Sequence, residues 1–343
     1  IACTGTPVEN SLADLWCLFD FVQPGLLGSL QEFSDKYRKP IESKGESALE
    51  MKELLRAYID PQMLRRMKED IASELPKKMN VSNDSYFFEG KDRERLKIDI
   101  SQYQRGLYAD GLRQLEVAAM EKDAKRRGAL SFASLHFMKA VCAEPYCLPS
   151  RTFEVDKNGF EQHKANSPKM KWLLEVLRNV QESSEKAIVF TEIREVQRAL
   201  AKFIHQTFKF SPLVINGDTD ERQDVIDEFQ ARPGFGVIIL SPLAAGFGLN
   251  IVEANHVIHY SRTWNPAKEG QATDRAYRIG QTRNVKVYCP TIIANDFVTF
   301  EENLDKLMSF KSDLAGDILD GVSSDISISD LMPTSGPAGS GST

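Results

Sequence analysis

The 343-residue sequence predicts an α/β fold of the doubly wound type, in which helices cover both faces of a parallel sheet. Short and nearly continuous apolar runs recur between residues 187 and 288, and amphipathic segments of helical period separate them. Strands that are buried on both faces lose the alternation of half-buried strands, so this pattern favours a parallel sheet. The predicted strands are residues 187–191, 213–215, 237–241, 257–260 and 285–288.

Composition limits the class of protein. The chain is 42% hydrophobic and 27% charged, which is typical of globular proteins and unlike collagen, coiled coils or disordered chains. No apolar run approaches the roughly 18–20 residues of a membrane helix, so we expect no membrane partner. The net charge of −6 excludes a polybasic binder but leaves room for a local basic groove. Five cysteines without a Cys-x-x-Cys pair indicate neither a zinc site nor a disulfide framework, so we expect no metal site and a cytoplasmic location.

The first 75 residues are predicted to be helical. Leu12, Leu15 and Phe19 recur at helical spacing behind potential cap residues at Asn10-Ser11, and Pro24-Gly25 ends the pattern. Farther along, the sequence predicts a helix over residues 49–58, a short strand within 81–88, long charged helices within 92–142 and a polar loop over 150–168.

Within the α/β part, amphipathic helices are predicted over residues 194–208 and 220–230. Residues 294–332 are expected to form one or two helices that pack back on this part, and the Pro-, Gly- and Ser-rich residues 333–343 to form a flexible tail. Because loops at the carboxyl ends of the strands carry function in doubly wound sheets, we expect the functional residues there.

The most specific segment is residues 271–281, Gln-Ala-Thr-Asp-Arg-Ala-Tyr-Arg-Ile-Gly-Gln. Asn265 is expected to cap its helix and Gly280 to end it. On such a helix, one face carries Gln271, Asp274, Arg275 and Arg278. Two guanidinium groups on one face suit a polyanion such as a triphosphate. A solvated face, on which acidic and basic side chains pair with each other, is an open alternative.

Two further segments carry weaker signals. Residues 241–250 directly follow a predicted strand, and Gly246 and Gly248 would let backbone amides approach a phosphate or sugar. Asn250 can cap an element that follows, although a tight strand-to-helix turn explains the same residues. Residues 4–7, Thr-Gly-Thr-Pro, combine hydroxyl groups with a turn.

Taken in order, these segments resemble the motifs of the Swi/Snf-type branch of the superfamily-two helicase-like ATPases, the double-stranded DNA translocases. The third to sixth motifs of that family are matched by residues 4–7, 186–191, 241–250 and 271–281, and its Asp-Gly and Trp-Asn-Pro motifs by residues 216–218 and 264–266. The family often has an acidic residue before its Trp-Asn-Pro, whereas residues 259–264 here read His-Tyr-Ser-Arg-Thr-Trp, and Phe247 departs from its fifth motif. These departures favour a bacterial member, which we expect to be associated with the nucleoid.

The resemblance implies a RecA-like fold for the parallel-sheet part, as the C-terminal lobe of a two-lobed helicase core. It also implies an all-helical protrusion and the helical end of the first lobe. The implied domains are residues 1–80 (end of lobe one), 81–165 (helical protrusion and inter-lobe region), 166–293 (lobe two), 294–332 (C-terminal helical brace) and 333–343 (flexible tail).

The resemblance further implies a site for ATP with Mg²⁺, in which Arg275 and Arg278 are arginine fingers that stabilise transition-state charge. ATP binding and its coupling would involve Gln271, Asp274, Gly246, Gly248, Asn250, Thr4, Gly5 and Thr6. Contacts with double-stranded DNA would involve Thr191, Asn216, Gly217, Ser241 and Trp264.

The motifs by which the family holds the ATP phosphates and Mg²⁺ do not occur in these 343 residues. The sequence contains neither a Gly-x-x-x-x-Gly-Lys-Ser/Thr loop nor the acidic metal motif, which in the family both precede the Thr-Gly-Thr-Pro segment. We therefore expect the C-terminal part of a longer protein, and we expect this part not to hydrolyse ATP by itself.

The predicted function is that of the C-terminal part of an ATP-dependent double-stranded DNA translocase that remodels protein–DNA complexes. Its expected partner is double-stranded DNA, with a DNA-bound protein complex or RNA polymerase as further candidates. Two alternatives stay open: an ATPase motor associated with RNA polymerase, and a non-hydrolysing DNA-binding or scaffold module.

Overall fold

The computed structural model describes residues 1–3, 11–42, 47–64, 75–82, 86–88, 96–148, 159–243 and 248–318. Packing contacts divide the chain into two units. The first comprises Ile1–Glu74, Trp264–Gly270 and Lys306–Ile326, and the second comprises Leu75–Thr263, Gln271–Asp305 and Ser327–Thr343.

The described N-terminal part of the first unit is helical around a small core. Its elements are α1 (Leu12–Val22), α2 (Leu30–Phe33), a π-helical turn (Ser34–Arg38), α3 (Lys39–Glu42), α4 (Ala48–Ile59) and a 3-10 turn (Asp60–Gln62). Capping boxes at Ser11 and Ser29 start α1 and α2, because each hydroxyl accepts a backbone N–H that the helix leaves unsatisfied. Leu15, Phe33 and Leu55 are buried in one cluster, and α1 and α4 confirm the two predicted helices.

The second unit is built on a sheet. Its described strands are β1 (Lys78–Val81), β2 (Tyr86–Phe88), β3 (Lys97–Asp99), β4 (Lys186–Phe190), β5 (Leu213–Ile215), β6 (Gly236–Leu240), β7 (His256–His259), β8 (Val285–Tyr288) and β9 (Thr291–Ile293). Seven strands form one sheet in the order β2-β1-β8-β7-β4-β6-β5, and all neighbours are parallel except the edge pair β1–β2. β3 and β9 form a separate parallel pair. The predicted RecA-like α/β fold is thereby confirmed.

Alternate residues of the central strands enter two separate cores, as a sheet covered on both faces requires. In β4, Ala187 and Val189 enter one core, whereas Ile188 and Phe190 enter the other. The helices that follow along the chain are α5 (Gln102–Ala119), α6 (Ala124–Ala143), α7 (Phe160–Asn166), α8 (Pro168–Glu182), α9 (Arg194–Phe208), α10 (Arg222–Ala231), α11 (Pro266–Thr273) and α12 (Phe300–Ile318). α8 and α9 supply apolar side chains to the first core, and α10 supplies them to the second.

Three elements differ from the expectations. The short strand expected within residues 81–88 is a pair of strands, and β1 joins the main sheet beside β8. β3 was not predicted, so the region 81–165 is not helical throughout. α7 lies within the polar loop expected over 150–168. β1 escapes prediction because its residues, Lys-Met-Asn-Val, form no apolar run; the strand is half-buried near the edge of the sheet.

Along the part of the chain that the structure describes, no helix is long and apolar enough to cross a membrane. The same residues contain no group of three or more His, Cys, Asp or Glu side chains placed to hold a metal ion. All five cysteines are free thiols.

Candidate functional site

The carboxyl ends of β4, β5 and β6 meet at one edge of the sheet, because these strands are parallel neighbours. Thr191, Asn216 and Ser241 each directly follow one of them. The N–H of Thr191 donates to the carbonyl of Leu240 at 3.0 Å, and that of Ser241 to the carbonyl of Ile215 at 3.0 Å. The structure therefore brings these three predicted DNA-binding residues together, at the edge where ligands of doubly wound sheets bind.

Thr191 is fully buried at this edge. Its hydroxyl lies 2.8 Å from that of Ser261, and its carbonyl accepts a hydrogen bond of 2.8 Å from the side-chain amide of Gln197. Its side chain is thus engaged inside the unit instead of being presented at the surface. Asn216 and Ser241, in contrast, are partly exposed.

The loop that follows β5 is held by two arginines. Within the loop, the side-chain oxygen of Asn216 accepts a hydrogen bond of 2.9 Å from the N–H of Asp218. Arg194 binds the Asp218 carboxylate with two nitrogens, at 2.6 and 3.0 Å, and Arg222 donates to a loop carbonyl at 3.0 Å. Gly217 is exposed, and a Cβ there would lie 3.2 Å from Nη2 of Arg194. A side chain at this position would therefore crowd the guanidinium group of Arg194, which holds the loop.

A cleft of about 240 Å³ opens beside this loop and is lined by Arg194, Gln197, Arg198, Ala201, Val214, Asn216 and Asp218. The sequence-based prediction missed Arg194 and Gln197. Single polar residues on an amphipathic helix carry little local signal, and their three-residue spacing on one face of α9 is the one available hint.

Helix α11 begins as predicted but ends early. The side-chain oxygen of Asn265 accepts hydrogen bonds from the N–H groups of Ala267 at 2.8 Å and Lys268 at 3.2 Å, so Asn265 caps the helix. The helix ends at Thr273, and the single helical face expected through residue 278 is therefore wrong. Tight turns follow, in which the N–H of Ala276 donates to the carbonyl of Thr273 at 3.0 Å.

The early end of α11 coincides with a nonlocal hydrogen bond. The carbonyl of Arg275 accepts a hydrogen bond of 2.9 Å from the N–H of Ile251. This bond occupies the carbonyl that a continuing helix would offer to residue 279. It also joins the segment that contains Gly248 and Asn250 to the segment that contains Arg275. Gly280, with φ of +103°, turns the chain at the predicted end of the latter segment.

Arg275 is half-buried, and its Nε is buried without a hydrogen-bond partner among the described residues. Burial lowers the pKa of its guanidinium group, and the charge of Arg278 lowers that pKa further, whereas Asp274 raises it. Arg278 itself is exposed. An anion would satisfy the buried donor and relieve the repulsion between the two cations, so the pair suits a phosphate group. Arg275 therefore does not fit the alternative in which residues 271–278 form a fully solvated face of paired charges.

The remaining predicted nucleotide residues are less fully defined. Asn250 is exposed, and no helix begins in residues 251–255 before β7, so its expected capping role is wrong. Gly248 has φ of +74°, a left-handed conformation that glycine adopts without strain. Gln271 and Asp274 are half-buried. Gly246, Thr4, Gly5 and Thr6 lie outside the described residues.

Trp264 is half-buried and packs with the first unit, whereas the other predicted DNA-binding residues belong to the second. Two residues earlier, Arg262 forms an ion pair with Asp305 of α12, and both side chains are largely buried. The charge of this arginine, in the stretch that lacks the acidic residue expected from the family, is therefore balanced from within the second unit.

Comparisons with known proteins match most of these residues to two family models. The model of the SNF2-related domain matches residues 1–147, and the model of the helicase conserved C-terminal domain matches residues 168–280. The second match includes the candidate arginines and the carboxyl edge of the sheet.

Three of the similar proteins come from Escherichia coli, Bacillus subtilis and Sulfolobus solfataricus. The chain is 46% identical over 328 residues to the Zorya protein ZorD of Escherichia coli O139:H28, across 93% of this chain and 28% of that protein. It is 34% identical to the "Putative ATP-dependent helicase/translocase YwqA" of Bacillus subtilis, across 93% of this chain and 32% of that protein. The solved SWI2/SNF2 ATPase core of Sulfolobus solfataricus in complex with dsDNA matches with a TM-score of 0.54 and 32% identity, across 92% of this chain and 61% of that chain. This chain thus spans less than a third of the length of either curated relative.

Proposed function

This chain belongs to the SNF2 family of helicase-like ATPases, and we propose that it is the C-terminal part of an ATP-driven translocase on double-stranded DNA that remodels protein–DNA complexes. The observation that carries the proposal is Arg275, a half-buried guanidinium whose buried Nε lacks a partner among the described residues and which lies beside the cationic Arg278. The dsDNA in the complex of the Sulfolobus relative supports the choice of substrate.

In the proposed reaction, Arg275 and Arg278 bind the γ-phosphate of ATP. Their fixed charges stabilise the negative charge that develops on the phosphate oxygens as the bond between the β- and γ-phosphates breaks. Mg²⁺ that arrives with ATP supplies further neutralisation of the phosphates, and we assign none of its ligands to the described residues. Gln271 and Asp274 lie on the same segment and orient the two guanidinium groups.

We assign the DNA contacts to the carboxyl edge of β4, β5 and β6. Asn216 and Ser241 offer polar side chains there, and Gly217 offers an exposed backbone. Such groups bind phosphates and sugars, so little sequence preference is expected. Thr191 supports this edge from inside the unit, and Trp264 is a further proposed contact.

The segment with Gly248 and Asn250 is proposed to couple the two sites. It comes after β6, whose end carries Ser241, and the N–H of Ile251 reaches the carbonyl of Arg275. A displacement of Arg275 on ATP binding would therefore pull on the chain that leads back to the DNA-binding edge.

We further propose that residues 166–293 form lobe two. Residues 1–80, which include Thr4, Gly5 and Thr6, are proposed to form the C-terminal end of lobe one. The strands from β4 to β9 all lie within the proposed second lobe.

The test is ATP hydrolysis by the full-length protein with and without linear duplex DNA, beside the variants Arg275→Ala and Arg232→Ala. The control, Arg232, is an exposed arginine paired with Glu228 on α10. Duplex-stimulated turnover should fall by about 10³–10⁵ in the first variant, as expected for an arginine finger, and stay unchanged in the control. Full turnover in Arg275→Ala would refute the proposed role of Arg275 as an arginine finger. Duplex binding without turnover by the unaltered protein would favour the scaffold alternative.

A further inference from the structure

We infer that Gln281 is a positioning residue for Arg275, acting as a hydrogen-bonded clamp between two segments of the second unit. The inference rests on the proposed function of Arg275. Gln281 itself is 5% exposed and has no access to a ligand.

The side-chain amide of Gln281 is fully occupied by backbone groups. Its Nε2 donates to the carbonyls of Val252 and Ala254, at 2.9 Å each. The same nitrogen lies 3.2 Å from the carbonyl of Ala276. Its Oε1 accepts from the next two backbone N–H groups along the chain, at 3.0 and 2.9 Å. A primary amide has two N–H donors and one oxygen with two lone pairs, so no capacity of this side chain is left unused.

The atoms that Gln281 binds lie next to those that fix the backbone of Arg275. Ala276 directly follows Arg275, and Val252 directly follows Ile251, whose N–H donates to the Arg275 carbonyl at 2.9 Å. The clamp and this hydrogen bond therefore tie the same two segments together at adjacent residues.

Arg275 needs such a clamp because the regular helix ends before it. α11 stops at Thr273, and the helical ladder breaks beyond it: the N–H of Tyr277 still donates to the carbonyl of Thr273 at 3.1 Å, but the carbonyl of Arg275 binds Ile251 instead of residue 279. Gly280, with φ of +103°, reverses the chain just before Gln281 and brings its side chain back over residues 252–254. The backbone from which the Arg275 guanidinium projects is thus held by a side chain six residues farther along the chain.

Gln104 provides a matched control for the loss of a buried amide. It is fully buried on α5, and its Nε2 donates to the carbonyls of Val141 at 2.8 Å and Cys142 at 3.4 Å. Its Oε1 accepts one backbone N–H, that of Ser101, at 3.1 Å. Gln104 binds neither segment of the clamp, so its replacement removes a similar set of bonds without releasing Arg275.

The experiment compares Gln281→Met, Gln281→Glu and Gln104→Met with the unaltered full-length protein. ATP turnover is measured at saturating duplex DNA, and amide hydrogen exchange is measured at Ile251. We expect Gln281→Met to lower kcat at least tenfold with KM for ATP changed less than twofold, because an arginine finger acts on the transition state. Exchange at Ile251 should accelerate at least tenfold in this variant, and Gln104→Met should show neither effect.

Gln281→Glu supplies a second readout should the methionine variant fold poorly. Its carboxylate would face backbone carbonyls without a proton to donate, whereas the protonated acid would regain one donor. The ratio of its kcat to that of the unaltered protein should therefore rise as the pH falls.

Three results would overturn the inference: equal loss of kcat in Gln281→Met and Gln104→Met, unchanged exchange at Ile251, or a flat pH ratio for Gln281→Glu. Absence of turnover in the unaltered protein would instead defeat the proposed function. In that case exchange at Ile251 would still decide whether the clamp exists.

Discussion

Lys169 and Glu301 form a buried ion pair whose disruption should destabilise the second unit. Lys169 Nζ lies 2.5 and 2.7 Å from the two carboxylate oxygens of Glu301 and 3.2 Å from the carbonyl of Tyr260. Lys169 is 1% exposed and Glu301 7%. Replacing Lys169 with Met would leave a buried carboxylate without its counter-charge.

The size of the effect follows from what remains bound to Glu301. Breaking a buried pair by removing one partner costs about 3–5 kcal/mol. The N–H of Ile292 still donates to the carboxylate at 2.8 Å, so the lower end of this range applies, about 3 kcal/mol. For a folded unit of this size, that corresponds to a fall in Tm of about 6–12 °C.

The assay is urea denaturation and thermal melting, with circular dichroism as the signal that reports unfolding. Lys164→Met is the control, since Lys164 pairs with the exposed Glu161, and we expect it to cost at most about 1 kcal/mol. Adding Glu301→Gln to Lys169→Met should recover more than about 1 kcal/mol, because it removes the uncompensated charge. The reasoning fails if Lys169→Met costs no more than the control, or if the double variant is no more stable than the single one.

Three further changes should follow the local geometry. Burial lowers the pKa of His256 below its ordinary 6.5, although the ring's hydrogen bond to the Glu185 carboxylate opposes this, so the folded state favours the neutral ring. The contribution of His256 to the free energy of unfolding is present above pH 6.5 and is lost as the pH falls below that value. In urea titrations at several pH values, the free energy of unfolding of His256→Gln should therefore fall less steeply with decreasing pH than that of the unaltered protein. Gly280→Ala should lower the free energy of unfolding by about 1–2 kcal/mol, because residue 280 has a positive φ. Gly270→Ala should not lower it, because Gly270 lies on α11 with open space around its Cα. Equal melting temperatures for the two variants would contradict this prediction. Asn265→Ala should cost about 1 kcal/mol through loss of the cap, and Asn265→Asp should restore most of it in the same melts.

The sheet could be predicted because its central strands are buried on both faces. β4 and β6 consist almost wholly of apolar residues, so they stand out against the amphipathic helices between them. β1 lies near the edge and contains Lys78 and Asn80, and its pairing with β2 and β8 makes it a strand. Pairing between residues so distant in sequence leaves no local pattern.

The candidate site was predictable in its residue types but not in its geometry. Asn265 and Gly280 have local roles, and the sequence signals for a cap and a turn predicted both. The carbonyl of Arg275, just beyond α11, is bound by the N–H of Ile251, and the hydroxyl of the buried Thr191 lies 2.8 Å from that of Ser261. Neither partner lies within a helical turn of the residue it constrains, so no periodicity indicates it.

The pairing of β1 with β8 has a consequence for synthesis on the ribosome. Lys77, just before β1, hydrogen-bonds with Asn284, just before β8, across 207 residues. At ~5–20 residues per second, a nascent chain takes about 10–40 s to make that span, during which β1 and β2 can exist but β8, the other neighbour of β1, does not. The helical hairpin of α5 and α6 depends on local contacts and can form during that interval. Until β8 is made, the side of β1 that will pair with it is an open edge. The polar residues Lys78 and Asn80 suit that interval, because a charged edge resists pairing with other nascent chains.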